Sequence, residues 1–477
     1  MSRQTAAIAV TRFGMGARAG ELAEAATDPR GWLERQVSSG ATLIPAGGLN
    51  STKEVFAARV GYAAMAGSPP GQRGADQPDD AAQRARQQQI QQEAREGLAK
   101  EIDARTRHAA TTPDSFAERW LRFWSNHFTV AARNAQTIGL AGPYEREAIR
   151  PHVFGRFSVL LGHAVLHPGM LVYLDAVRSI GPSTMVAERR DAGLNENLAR
   201  EVLELHTLGV GTGYRQEDIV EFAKALTGWT VSGPQTARLA SVGRGRRGAG
   251  IDGPAAEPGN IIFADPLHEP GARTVLGKRY GEEGERQASA ILEDLAIHPA
   301  TARHVATKLA RHFVADTPPE SAITKLESAF VKSGGDLSTL ARAVINLDEA
   351  WAVEQQKFKT PEELLVSAAR AAGPQAAFGG AQRQVYTSLA QAPFSAPSPA
   401  GWPDDTAAWS GADAIKKRLE WANAVSRRMS RGRSPLDFLD EALGDLVSAK
   451  TRQAVSRAES AEQGFTLALM SPEFQRR

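Results

Sequence analysis

Residues 195–209 read NENLAREVLELHTLG, a run dense in groups that can move protons or hold ligands. Set on a regular helix at about 100° per residue, Asn197, Arg200, Glu201 and Glu204 share one stripe about 100° wide. The apolar residues Leu194, Leu198, Val202 and Leu205 border that stripe, and His206 falls on the far side. Two carboxylates beside one arginine can split their pKa values, so that one serves as base while the other stays ionised. Glu201 and Glu204 could also share a hard divalent metal with a distant histidine. The plainer alternative is a solvated face, because Glu196–Arg200 and Arg200–Glu204 are i,i+4 ion pairs.

His127 is the leading distant candidate, directly after Asn126 and on the aromatic face of its own segment. Against that role, a lone histidine on an apolar face is commonly a hydrogen-bonded core residue. His268 lies in a loop, where polar groups are freer to act. Asp175 reads as a helix cap or a ligand. His298 and His304 read as helix-boundary and helix-surface residues. Trp229 and Trp402 could stack on a sugar ring or anchor the core.

Other motif matches fail on context. Gly243, Gly245 and Gly248 fit the dinucleotide fingerprint literally, but no strand precedes them and no helix comes after. Ala6–Val10 with Gly14, Gly16 and Gly20 imitates a strand and phosphate loop, with one residue too many in the last interval. Gly271–Lys278 has the same fault and ends in Arg279, where Ser or Thr should hold Mg²⁺. No nucleotide cofactor is therefore expected. No G-x-S-x-G or H-E-x-x-H occurs.

The elements that must position these groups are helical. Phe116, Trp120, Phe123, Trp124, His127 and Phe128 recur at steps of three and four, after a capping-box pattern of Ser115 and Glu118. Ile219, Phe222, Ala223 and Leu226 form another stripe. The segments 302–313 and 361–372 read as helices, the second opened by Thr360–Pro361. Residues 81–108 form a polar, Gln-rich helix with a narrow stripe of Ile90, Ala94, Leu98 and Ile102, set on the surface or against a partner. Residues 67–80 read as a loop and 232–259 as a flexible Gly/Arg/Pro insertion. Segments 228–231 and 260–263 suggest a short hairpin. The expected fold is mainly α: one large multi-helix domain over 1–477, with loop insertions and at most a short β-hairpin.

The 477 residues carry 56 Lys and Arg against 54 Asp and Glu, a net charge of +2, which argues against a polybasic nucleic-acid footprint. The 42% apolar content rules out wholesale disorder. There is no cysteine, so disulfides, thiolate metal sites and a Cys nucleophile are excluded. The first residues lack a signal-peptide core and no apolar run is long enough to span a membrane. Cytoplasm is the default compartment, with export alongside a partner as the alternative.

Several blocks also resemble the bacterial domain-of-unknown-function 1800 family. They are Arg12–Ala17, Phe123–Phe128, Tyr144–Arg150, His167–Asp175, Asn195–Gly209 continuing to Thr227–Trp229, His268–Gly277, His298–Arg303, Pro399–Pro403 and Ser471–Gln475. Ala176 departs from the pattern, which has Asn after the Leu-Asp pair. The resemblance implies a mostly helical fold and brings no established reaction. It also implies a partner, because members are often encoded beside an exported protein that resembles the alkaline phosphatase and sulfatase fold. The resulting expectation is hydrolase or lyase chemistry on a polar substrate, a glycan among the candidates. Glu201, Glu204 and His127 would be catalytic. Asn126, Asn197, Arg200 and His268 would bind substrate, and a divalent metal is compatible with that donor set. The rival expectation is a non-catalytic helical scaffold or assembly partner of the phosphatase- or sulfatase-fold protein.

Overall fold

A computed structural model describes residues 3–477 apart from 39, 41, 46, 66–79, 191–192, 234–235, 237–256 and 282–283. Gly243–Gly248, nearly all of the 67–80 loop and most of the 232–259 insertion lie outside the described residues. The fold is mainly α, with two antiparallel two-stranded ribbons. β1 (Trp229–Val231) pairs with β2 (Ile261–Phe263) in the register Trp229 to Phe263, where the hairpin was expected. β3 (Arg273–Val275) and β4 (Lys278–Tyr280) form a second ribbon. Its turn passes through Leu276 and Gly277, both at positive φ. A leucine there gives no turn signal in the sequence.

Among the described residues, most buried apolar side chains gather in two large clusters, with two small ones beside them. The larger is built around the aromatic helix, Ser115–His127, where Phe116, Trp120 and Trp124 are fully buried. Trp120 donates its indole N–H to the Val153 carbonyl at 2.7 Å. The second cluster joins helix Pro361–Ala372 to Ala412–Met429, Pro435–Leu443 and Ala461–Leu469. Ala132, Phe394 and Leu446 pack against both. The long helix, Asp80–Thr111, begins with exposed glutamines and ends with Leu98 and Ile102 buried in the second cluster. Only its first half therefore lies at the surface.

Local signals explain much of this and fail at informative places. Thr360, Pro361 and Glu363 form the expected helix start, with a reciprocal capping box. Ser115 and Glu118 do not. Asp114 is the N-cap without a side-chain bond, and Glu118 is drawn into ion pairs instead. Ala6–Val10 is helical rather than extended. Three helices widen into π turns, at Ala9–Phe13, Glu145–Ile149 and Val202–His206. The regular helical geometry expected for residues 197–206 thus holds only to Glu201, and His206 turns inward.

The two clusters are locked by charge. Glu118 meets Arg150 at 2.9 Å, Arg150 meets Glu145 at 2.8 Å, and Glu145 meets Arg105 at 2.8 Å. Arg105 then pairs with Glu362, Glu362 with Arg122, and Arg122 returns to Glu118 at 3.0 Å. This closed ring joins the long helix, the aromatic helix, the second π turn and the start of helix Pro361–Ala372. Burial raises the Glu118 pKa, but Arg150 and Arg122 outweigh it and hold the carboxyl down at about 2. A folded pKa below the unfolded value means the stabilisation is present at neutral pH and is lost as pH falls from 4.5 toward 2. Glu118→Gln is expected to cost about 3–5 kcal/mol, because it leaves buried arginines without their partner. Urea unfolding at neutral pH checks the loss, and the deficit relative to wild type should shrink on acidification.

Candidate functional site

A cavity of about 540 Å³ opens between the two clusters. Its walls come from the aromatic helix (Arg119, Arg122, Phe123, Asn126, His127), helix Pro299–Phe313 (Lys308, Arg311, His312), the start of helix Pro361–Ala372 (Glu362, Glu363) and the segment 391–405 (Phe394, Trp402, Asp404). Helix Pro299–Phe313 starts with Pro299 and a cap in which His298 Nδ1 accepts from the Ala300 N–H at 3.1 Å. Ala302, Val305, Ala306, Leu309 and Phe313 bury one face. His304, Lys308, Arg311 and His312 fall within about 100° of one another on another face.

His312 and Asp404 form a dyad, Nδ1 to Oδ2 at 2.6 Å. Burial pushes the Asp404 carboxyl up, but His312, Lys357 and Arg477 outweigh this and hold it far below the carboxylate range. Burial lowers the His312 imidazole below 6.5, with Asp404 opposing. At neutral pH the ring is thus neutral, its proton on Nδ1 toward Asp404 and its lone pair on Nε2. That Nε2 is buried and has no hydrogen-bond partner in the structure.

His127 is held at both nitrogens. Nε2 donates to the His206 carbonyl at 3.0 Å, and Nδ1 accepts from Lys308 Nζ at 2.9 Å. Burial, then Lys308, His206 and His304, depress its pKa well below 6.5, so the imidazole stays neutral. Burial also brings Lys308 down to about 8, with Asp404 opposing and Arg311 adding. His304 closes this group by donating Nε2–H to the Leu205 carbonyl at 3.2 Å. Gly209, at φ +92°, permits the approach, since a Cβ there would lie 2.8 Å from His304 Nδ1.

Asn126 positions the opposite wall. Its Oδ1 accepts from the Trp402 N–H at 2.7 Å, and its Nδ2 donates to the Trp402 carbonyl at 2.9 Å. This clamp holds the loop that carries Asp404 to His312. Gly401 sits in the left-handed region at φ +84°, where a Cβ would lie 2.5 Å from the Asn126 carbonyl oxygen.

The structure brings Asn126 and His127 to the cavity and leaves the other expected residues elsewhere. Arg200 pairs with Glu196 at 2.9 Å and Glu204 at 3.7 Å, all partly exposed, and Gln216 donates to Glu196 at 2.7 Å. This is the solvated ion-pair face. Asn197 is exposed at the helix start. Glu201 is half-buried, its carboxyl raised by burial and by Glu204. His268 is buried near Phe263, with Nδ1 donating to the Thr227 carbonyl at 2.8 Å. Asp175, at φ +56°, makes no side-chain cap and offers its carbonyl to Asn195. Trp402 lines the cavity, whereas Trp229 packs on Phe263. Among the described residues no three His, Asp or Glu side chains gather as a metal-ligand group.

The sequence reading missed Lys308, Arg311, His312 and Asp404. The helical part of the signal was present, because His304, Lys308 and His312 recur at i, i+4 and i+8 on a segment already read as a helix. Nothing local pairs Asp404 with it.

Comparison with known proteins adds a family. A model described as "Protein of unknown function (DUF1800)" matches residues 8–476. The chain belongs to the DUF1800 family. No curated protein and no solved structure matches it. Four of the blocks that carry the resemblance meet at the cavity: Arg12–Ala17 supplies Met15, Phe123–Phe128 supplies Asn126 and His127, Tyr144–Arg150 supplies Tyr144 and Glu145, and Pro399–Pro403 supplies Trp402.

Gly401→Ala is expected to destabilise the chain by more than about 1 kcal/mol and to release the Asp404 loop. Denaturant unfolding measures the first effect. Loss of the His312 Nδ1–H signal in proton NMR measures the second.

Proposed function

We propose that this chain is an acid–base enzyme, a hydrolase or lyase acting on a polar substrate in the cavity between its two cores. The observation that carries the reading is the His312–Asp404 dyad in the cavity lining, where the second imidazole nitrogen, Nε2, is buried and has no hydrogen-bond partner among the described residues. Asp404 fixes the tautomer, and His312 Nε2 is the general base. No serine or threonine hydroxyl bonds to that nitrogen among the described residues, so the base works on a water or on the substrate itself. Lys308 lies one helical turn before His312 and retains its proton to about pH 8, which suits a general acid. His127 accepts from Lys308 and holds its ammonium in place. Trp402 and Phe394 supply apolar faces of the kind that stack on sugar rings, which keeps a glycan among the candidate substrates.

This reading moves the chemistry from Glu201 and Glu204 to His312 and Lys308. The exposed glutamines of the long helix favour a second reading, a helical scaffold for a phosphatase- or sulfatase-fold partner. Assembly of that kind would be indifferent to His312.

A panel of glycans and polar esters, assayed for hydrolytic and for unsaturated products, tests the enzyme reading. His312→Gln is expected to lower kcat by about 100- to 10,000-fold with the fold intact, and Asp404→Asn to behave alike. Turnover at the wild-type rate in His312→Gln would sink the assignment. The pH profile of kcat/KM should be a bell. It rises as His312 loses its proton below 6.5 and falls as Lys308 loses its own near 8.

A further inference from the structure

The hydrogen-bonding capacity around the cavity is lopsided. Every carboxylate in its lining is already engaged by the protein. Glu145 receives Arg105, Arg150 and Ser125, and Glu362 receives Arg105 and Arg122. Glu363 receives Arg119 and Arg477, and Asp404 receives His312 and Lys357. Asp316 takes Lys357 and the Thr406 N–H, while Asp405 caps a helix through the Ala408 N–H.

The donors are not used up in the same way. Arg311 lines the cavity, is exposed, and has no hydrogen-bond or ion-pair partner among the described residues. Lys308 spends one of its N–H groups on His127. Tyr144 belongs to the cavity lining, and its hydroxyl is buried with no hydrogen-bond partner among the described residues. Arg311 and Lys308 are i,i+3 neighbours on one helix, a spacing at which like charges repel. The fold sets them side by side with no carboxylate bridging them.

We propose that Lys308 and Arg311 form an oxyanion subsite, which holds a carboxylate, sulfate or phosphate group of the substrate beside the His312–Asp404 dyad. This rests on the acid–base reading of the cavity and names the substrate class it takes. A planar guanidinium fork and an ammonium together match the oxygens of such a group, and charge-assisted bonds of this kind are the strong ones.

Calorimetric titration of the full chain with acetate, inorganic sulfate and inorganic phosphate tests the subsite, with acetamide as the uncharged control. At least one oxyanion is expected to saturate where acetamide does not, and the strongest of the three identifies the group. Arg311→Gln should weaken that binding about tenfold or more, and Arg311→Lys should restore part of it. His312→Gln should keep it. No saturable binding of any oxyanion in the millimolar range would overturn the subsite, as would binding in Arg311→Gln equal to wild type. Binding lost in Arg311→Gln while His312→Gln keeps full turnover would leave the subsite standing and overturn the catalytic reading alone.

Discussion

Three arginines and three glutamates alternating in a closed, buried ring are the constraint on which the rest of this structure depends. A single buried ion pair seldom repays the cost of taking two charges out of water. Here each charge faces two of the opposite sign, and the ring as a whole is neutral. Its members come from four elements far apart in sequence, so closing it fixes the long helix, the aromatic helix, the second π turn and the start of helix Pro361–Ala372 together. The ring also decides which groups remain for chemistry. Glu145 lies in the cavity wall, yet burial cannot raise it against Arg105 and Arg150, and it stays ionised far below the carboxylate range. A carboxylate so held can neither give nor take a proton near neutral pH. On the proposed reading acid–base work falls to nitrogen groups, His312, which burial lowers below 6.5, and Lys308, which burial lowers to about 8.

The π turns extend this logic to the backbone. Each adds a residue to a helix and re-aims the side chains beyond it. The first carries Arg12, which donates to the carbonyls of Ala350, Ala352 and Glu354 and ties the chain start to a distant loop. The second carries Glu145 into the ring. The third turns His206 inward, so that its carbonyl fixes His127 and its neighbour Leu205 fixes His304. Wide turns of this kind are rare and often sit at functional sites. All three here anchor polar side chains while their apolar residues, among them Phe13, Ile149 and Leu203, stay in the main cluster.

Much of the fold was legible in the sequence. Period and Pro361 at a first helical position located the main helices, and segments 228–231 and 260–263 were legible as a ribbon. Asn126 and His127 were legible as a polar pair on an aromatic face. The ring was not, because Arg and Glu on helices read as solvated i,i+4 pairs unless their distant partners are known. Glu118 shows the difficulty: its spacing from Ser115 signals a cap, while its actual partners are Arg122 and Arg150. Residues 195–209 show the complementary difficulty. Their mixture of Asn, Arg and Glu looked too particular for a surface, yet Arg200 meets Glu196 and Gln216 at the solvent edge. That block contributes backbone carbonyls, those of Leu205 and His206, which hold His304 and His127 and which no side-chain pattern reveals.

The placement of the remaining groups favours precision over adaptability. Lys308, Arg311 and His312 ride on a single helix, so their spacing is set by helical geometry and not by loop conformation. Asp404 is the one member supplied by a loop, and that loop is pinned at Trp402 by both atoms of the Asn126 amide, with Gly401 permitting the contact. Lys357 holds the same loop from behind by donating to the Asp404 carbonyl at 2.6 Å. On the proposed reading, a base whose orienting carboxylate is fixed from two sides, next to an acid on the same rigid element, needs no closing motion to assemble. The chain has spent its structural charge on holding that arrangement, and the cations left uncommitted are the ones a negatively charged substrate would meet.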